Sequence, residues 1–410
     1  MKQKKGNYTM ARRTNGEGSI YKRADGRWCA RYTFNNKRRD ITGKTQAEVK
    51  RKLKATLAEL EKASNMGNPD YIEKRKTTLQ DWLYYWLETF VKPTVKPSTY
   101  SGYERDIRNH VVPAIGHHKM CELNLPILQE FFNSKKRTSI NDKTPGRLSA
   151  KSIKNIRNMM NYAFRKAQEH GVLLHDILSG VITQAVPKRE IRVLTPMEQD
   201  KLIATVKDNL ETWQSGFAII FALFTGVREG ELLGLRWMDI DLNPHNPLVR
   251  IRYSLGRQKD IYNESDNNSI LKLSEPKTNN SIRDIPIIPE LYNDLIEYKK
   301  VQCARKTEKG QSQKLTDFVF PNRNFTAYEP RGFFTKYKEI LDKCKLYDVG
   351  VHTLRHTFAT RSLERGVDIK TLSKILGHAR PSITLDRYGS SLPNHQRECM
   401  NKLSSIYLNL

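Results

Sequence analysis

At 410 residues with 38% hydrophobic content, the chain is too long for one core and carries enough apolar side chains for two or three. Lysine and arginine number 71 against 44 acidic residues, a net charge of +27, which repels itself in a folded protein and which a polyanionic partner explains. The longest apolar run, Phe217 to Phe224, is far too short to span a bilayer, so nucleic acid is the expected partner and a membrane is not.

Met1 to Thr9 are polar and basic and lack the apolar centre of a secretory signal; Met1 and Met10 both stand as starts. The five cysteines (Cys29, Cys121, Cys303, Cys344, Cys399) are odd in number, scattered and free of any CxxC pair. They indicate neither a zinc site nor a disulfide framework, and suit a reducing cytoplasm. From Met1 to Lys54 there are 17 basic residues against Glu17, Asp25, Asp40 and Glu48. Within this stretch Ser19–Arg23, Trp28–Phe34 and Arg38–Thr42 read as strands, separated by turn chemistry at Ala24-Asp25-Gly26 and Asn35-Asn36. Val49, Leu53, Leu57 and Leu60 then repeat at helical spacing, predicting a three-stranded sheet backed by one helix. Arg27, Arg31, Lys37 and Arg39 are left for one face of the sheet or its edges. A solvated basic face is the plain alternative, but the interleaved Tyr21, Trp28, Tyr32 and Phe34 favour a DNA-reading sheet.

A polar stretch from Asn65 to Thr78 reads as a linker. Trp82, Leu83, Trp86, Leu87 and Phe90 follow as a helical stripe, better suited to a core than to base stacking. Ser98 is the expected cap of the next helix. Lys151 to Glu169 is the clearest helix, with Ile153, Ile156, Met160, Ala163 and Ala167 on one side and Lys154, Arg157, Asn161 and Arg165 on another. Those basic side chains are candidate phosphate contacts. After a second linker at Pro187–Arg192, Thr195, Pro196 and Glu198 form a capping box. β segments are expected near Val249–Tyr253, Ile270–Leu273 and Ile282–Ile287, with helices resuming from about Pro330. The whole reads as a multidomain α+β chain. Its parts are a sheet-plus-helix domain over residues 1–70, an all-helical domain over 75–185, and a mostly α domain with a small antiparallel sheet over 193–410.

Four patterns in the last domain carry chemistry together. They are Thr225-Gly226-Val227-Arg228-Glu229-Gly230-Glu231-Leu232-Leu233; Pro276-Lys277-Thr278 with Ser281, Arg283 and Pro286; His352-Thr353-Leu354-Arg355-His356-Thr357; and Leu376-Gly377-His378 followed by Tyr388. Singly each has a dull explanation in salt bridges, helix caps or packing. Displacement at a phosphodiester, however, builds charge on two non-bridging oxygens, and guanidinium forks suit that need, so Arg228 and Arg355 are the candidates. His352, His378 and Lys277 can supply hydrogen bonds and protons. A free tyrosine, with a pKa near 10, is only about a thousandth ionised at neutral pH, so Tyr388 as nucleophile needs a base and a cationic field. No acidic cluster with metal spacing accompanies these residues, so neither a metal nor a cofactor is expected.

On these motifs the chain resembles the tyrosine recombinases, the integrases of temperate phages and conjugative transposons, over nearly its whole length. The resemblance implies a catalytic set of Arg228, Lys277, His352, Arg355, His378 and Tyr388, with Glu231 bracing it from behind. Lys272 lies close to Lys277, and Gly389 stands where many relatives carry histidine. It further implies a 3′-phosphotyrosyl intermediate, strand exchange by a homo-tetramer through a Holliday junction, and integration and excision of a mobile element without ATP. The first domain would bind arm-type DNA sites, and the other two would clamp the core-type site. A tail helix carrying Met400, Leu403, Ile406, Tyr407 and Leu410 would dock on a neighbouring protomer. An excisionase and a host DNA-bending protein stand as candidate accessory partners, and the bacterial cytoplasm, at the nucleoid, as the expected location. Two rivals remain: a type IB topoisomerase that relaxes DNA as a monomer, and a non-catalytic DNA-binding regulator.

Overall fold

A computed structural model describes residues 19–34, 37–65, 76–137, 146–187, 190–208, 216–262, 269–275 and 281–388. Lys277 and the tail residues from Met400 to Leu410 lie outside the described residues. The chain divides into two compact units, Met1–Pro187 and Lys188–Leu410.

In the first unit, β1 (Ser19–Lys22), β2 (Trp28–Phe34) and β3 (Lys37–Gly43) form an antiparallel sheet in that order. Period-2 alternation sends Ala30 and Tyr32, with Ile20, Trp28 and Ile41, against Val49, Leu53 and Leu57 of α1 (Gln46–Asn65). The opposite face holds Tyr21 and Arg31. The all-helical part is a separate hydrophobic cluster. Thr78 caps α2 (Leu79–Trp86), which runs on into a π-helical turn at Leu87–Val91. α3 (Pro97–Asp106) starts at its proline, with Lys96 as N-cap and no side-chain cap bond, so Ser98 is not the cap. Proline's fixed φ already suits the first helical position, and the expected serine cap is not needed there. α4 (Leu125–Ser134) and α5 (Ala150–Glu169) are capped by Asn124 and Ser149. The tryptophans are core: Trp82 and Trp86 are buried, and Trp82 donates to the Ala163 carbonyl at 3.1 Å.

The second unit opens on α6 (Pro196–Asp208), whose capping box closes in both directions: Glu198 N–H donates to Thr195 Oγ1 at 3.2 Å and Thr195 N–H to the Glu198 carboxylate at 2.8 Å. α7 (Gly216–Thr225) is apolar all round and central to the largest hydrophobic cluster. Short α8 (Glu229–Leu233) follows, then the sheet β4–β5–β8 (Ile240–Asp241, Leu248–Ile251, Arg283–Pro286) and the pair β6–β7 (Ser254–Lys259, Ser269–Ser274). Helices return earlier than the sequence reading placed them, at α9 (Pro289–Glu308). Its buried stripe starts as Leu291, Leu295 and Tyr298 but ends in Gln302 and Lys306, so apolar periodicity fades halfway. α10 (Pro330–Lys343), α11 (Val351–Glu364), α12 (Ile369–Leu376) and α13 (Pro381–Tyr388) complete the unit. Among the described residues no helix is long and apolar enough to cross a membrane.

Candidate active site

The site is organised by the C-terminal end of α12. A helix end leaves its last four carbonyls without partners in the helix, and here each one is accounted for. Gly377 adopts the left-handed conformation at φ 64°, which lets the amides of His378 and Gly377 return to the carbonyls of Ser373 and Lys374. The next two carbonyls go to arginines. Arg283 Nε donates to Ile375 O at 2.5 Å, and Arg355 Nη2 donates to Leu376 O at 2.7 Å. One residue further on, Arg228 Nη2 donates to Gly377 O at 3.1 Å. Three guanidiniums from β8, α11 and the start of α8 thus converge on three successive carbonyls, where the helix dipole favours positive charge.

Arg228 is the N-cap of α8, and its side chain is 34% exposed. Its Nη1 donates to Glu231 Oε1 at 2.7 Å while its backbone amide donates to Glu231 Oε2 at 3.0 Å. Glu231 is buried and receives both Arg283 Nη atoms, at 3.2 and 2.8 Å. Burial pulls the Glu231 carboxyl upward, but Arg283 and Arg228 outweigh it and hold it below its ordinary range. Arg283, which the sequence pattern contains without a chemical role, is the clamp on Glu231.

Arg355 is 1% exposed. Besides Leu376 O it donates to Gly226 O at 2.6 Å and to His378 Nε2 at 2.9 Å. Gly226 sits at φ 63°, and a Cβ there would fall 2.4 Å from the Phe358 ring, so this carbonyl can be presented only by glycine. Burial, then Arg228 and Arg283, push Arg355 down to about 9, and it keeps its charge at neutral pH. Arginine has no acceptor, so His378 Nε2 must accept and Nδ1 carries the proton, donating to Thr384 Oγ1 at 2.8 Å. Burial first, then Arg355 and Arg228, lower His378 to about 3, and the ring is neutral. Four arginines (Arg228, Arg283, Arg355 and Arg387) bear on this ring. Glu231 is the buried carboxylate that answers Arg228 and Arg283. The excess of positive charge fits an anion.

His352 and His356 lie one turn apart on α11 with rings perpendicular, 5.1 Å between centroids. His352 is exposed, and its pKa is lowered by burial of its inner edge, then by Arg355 and Arg387. Tyr388, the last residue of α13, is 0% exposed. Its hydroxyl shares a 2.7 Å hydrogen bond with His356 Nδ1, and the Arg387 side chain is a second hydrogen-bond partner. Burial raises its pKa against the opposing fields of Arg355 and Arg387. Five of the six expected residues are therefore brought to one end of the unit, and Lys277 lies outside the described residues. His356 was missed; its signal was the second histidine of His-x-Leu-Arg-His, one turn after the first.

The expected DNA contacts divide. Arg27 is exposed beside β2, while Arg31 is tied to Asp40 by two bonds of 2.7 and 2.8 Å and lies 5.4 Å from the Tyr21 ring centroid. Arg39 pairs in register with Tyr32, so it belongs to the helix-covered face and not to that of Arg31. The side chain of Lys37 lies outside the described residues. On α5, Lys154 and Arg165 are exposed, whereas Arg157 is half-buried and reaches Leu178 O at 3.4 Å.

A half-exposed and a buried guanidinium, two neutral histidines and a tyrosine on adjoining helices define a protein that handles phosphodiesters. The family model described as "Phage integrase family" matches residues 192–395, and that described as "Phage integrase, N-terminal SAM-like domain" matches residues 78–136. The chain belongs to the phage integrase family, the tyrosine recombinases. It is 28% identical over 379 residues to a tyrosine recombinase XerC-like protein of Caldanaerobacter subterraneus, covering 90% of this chain and 92% of that one. It is also 32% identical over 211 residues to the transposase from transposon Tn916 of Enterococcus faecalis, covering 50% and 48% respectively. Among solved structures, the Tn1549 transposon integrase in complex with a circular intermediate DNA superposes with a TM-score of 0.63 at 21% identity, over 80% of this chain and 99% of that one. A lambda integrase tetramer bound to a Holliday junction gives 0.51 at 17%, over 88% and 96%. These two likenesses speak for the fold.

Proposed function

We propose that this recombinase integrates and excises a mobile element, with Tyr388 as its covalent nucleophile. The observation that carries the reading is the convergence of Arg228 and Arg355 on the end of α12, with His378 on Arg355 and Tyr388 on the helix that follows. A scissile phosphate seated on Arg228, Arg355 and the histidines His352 and His378 would have its developing charge matched by fixed donors. Tyr388 Oη gives its proton to solvent and attacks phosphorus, the bond to the 5′ oxygen breaks, and Lys277 gives that oxygen its proton. The product is a 3′-phosphotyrosyl link and a 5′-hydroxyl, and attack by a partner strand's hydroxyl reverses the step. The bond energy is conserved without ATP or metal.

Residues 1–70 act as the arm-site domain through Arg27, Arg31, Lys37 and Arg39; residues 75–185 track the core site with Lys154, Arg157 and Arg165; residues 193–410 are the catalytic domain. The names of the relatives, a Tn916 transposase and an ICEBs1 integrase of Bacillus subtilis, support a conjugative element as the DNA served. The lambda integrase tetramer on a Holliday junction supports assembly as four protomers, between which the tail helix would be exchanged. An excisionase and a host bending protein complete the set of partners, in the bacterial cytoplasm at the nucleoid. A nicked suicide duplex carrying the core site is expected to trap a covalent adduct that Tyr388→Phe abolishes while DNA binding persists. Adduct formation by the Phe variant sinks the assignment.

A further inference from the structure

We propose that His356 is a positioning residue that holds the Tyr388 hydroxyl docked inside the α11–α13 corner, so that this hydrogen bond must open before a DNA strand can be cut. The inference rests on the reading of Tyr388 as nucleophile. Tyr388 is a member of a small apolar cluster with Ala359, Leu363, Leu372 and Leu376. At 0% exposure its hydroxyl cannot meet a phosphate, which is bulky, charged and attached to a duplex. Of the groups meant to hold that phosphate, Arg228 is 34% exposed and His352 is exposed, whereas Arg355 is buried. The nucleophile is therefore enclosed while Arg228 and His352 face solvent, and the docked position is one that Tyr388 leaves.

The alternative role for His356, a base that takes the tyrosine proton, is opposed by the charges around it. Burial, then His352, Arg387 and Arg355, lower His356 to about 4, while Tyr388 is raised above its ordinary 10. A proton moving from phenol to imidazole would run against both shifts, so the transfer is disfavoured while the tyrosine is docked. Where Nε2 of His356 carries its proton, Nδ1 accepts from the phenol, and Tyr388 stays neutral as well as buried. The groups bearing on the pair are His352 and Arg355 from α11, Arg387 from α13 and Arg228 from the start of α8, and all but neutral His352 are cationic. The arginines already favour a tyrosinate where the hydroxyl is docked, but burial outweighs them there.

The rest of the corner permits that release. α13 is fastened twice, at Thr384 to His378 and at Tyr388 to His356. The first tie keeps the helix registered with the arginine cluster while the second opens. His356 itself is fixed by the perpendicular ring of His352.

The test is single-turnover cleavage of the nicked suicide duplex by the full-length chain. His356→Phe keeps an aromatic ring and removes Nδ1. Removing one neutral hydrogen bond should raise the rate of adduct formation by about three- to tenfold, together with a lower Tm. His356→Asn, whose Oδ1 falls near the place of Nδ1, should take back most of that rise. A slower His356→Phe enzyme, or an unchanged one, overturns the proposal, because a base or a packing residue gives those results. As a second readout, 3-fluorotyrosine at position 388 should give a fluorine resonance in free His356→Phe that moves toward the position seen for wild type on a half-site duplex. A resonance that stays where free wild type has it also overturns the proposal. Tyr388→Phe is the control that separates the two readings: an adduct formed by that variant removes the nucleophile assignment, whereas its absence with no rate gain in His356→Phe removes the latch alone.

Discussion

The most consequential single side chain outside the expected set is Arg283. It is 8% exposed and supplies both oxygens of Glu231 with partners, so Glu231 can hold Arg228 without being left as a lone buried charge. Breaking such a pair by removing one member costs about 3–5 kcal/mol, because the other charge stays buried. Arg283→Met should therefore destabilise the second unit by about 3 kcal/mol and lower cleavage with it. Adding Glu231→Gln should recover part of the stability but not the cleavage, measurable by denaturant unfolding and adduct assay. The histidines give a second expectation at this scale. His378 at about 3 and His356 at about 4 are held neutral in the fold, whereas an unfolded histidine takes up its proton near 6.5. Their contribution is complete above that value and is lost as pH falls towards 4. Calorimetry should show Tm dropping between pH 7.5 and 5, and His378→Asn should flatten the slope; an unaltered slope would contradict the assignment. That Arg228, Arg355, His378 and Tyr388 come together was legible, because the proposed phosphodiester reaction needs those residue types in one place. Arg283 and His356 were not, because their roles depend on which neighbour they touch, and a motif does not state that.

At the scale of elements, short-range signals carried well where one period ran unbroken. β2 and α5 fall where alternation and the Ile153–Ala167 stripe place them. α9 was not seen, since its inner face passes from leucine to Gln302, which accepts from Trp237 Nε1 at 2.5 Å and donates to Val319 O at 3.0 Å, and then to Lys306 paired with Asp317. Buried polar residues look like surface in a sequence until their partners are known. The two faces of the N-terminal sheet were similarly unreadable, because strand pairing puts Arg31 and Arg39 on opposite sides. That sheet nonetheless has its own small core with α1, distinct from the tryptophan-lined core of α2–α5. Deleting residues 1–70 is expected to leave core-site cleavage intact and to weaken integration; loss of core cleavage in the suicide assay would refute the modular reading.

For the whole molecule, the charge of +27 sets the conditions under which any of this chemistry is observed. If about six phosphates are neutralised, DNA affinity should fall by roughly 10³-fold between 50 and 200 mM salt. A binding isotherm that ignores salt would argue against a backbone-dominated grip. The division into Met1–Pro187 and Lys188–Leu410 keeps each hydrophobic cluster within one unit, and the candidate site residues described above belong wholly to the second.

The three arginines on the end of α12 have one more consequence. A free arginine side chain carries about 2 kcal/mol of rotamer entropy, and a site assembled from loose arginines would lose that freedom each time a substrate arrived. Here Ile375, Leu376 and Gly377 have already taken it up as the chain folds. The cations wait in place, and on the proposed reading binding energy from the duplex is left over for releasing Tyr388.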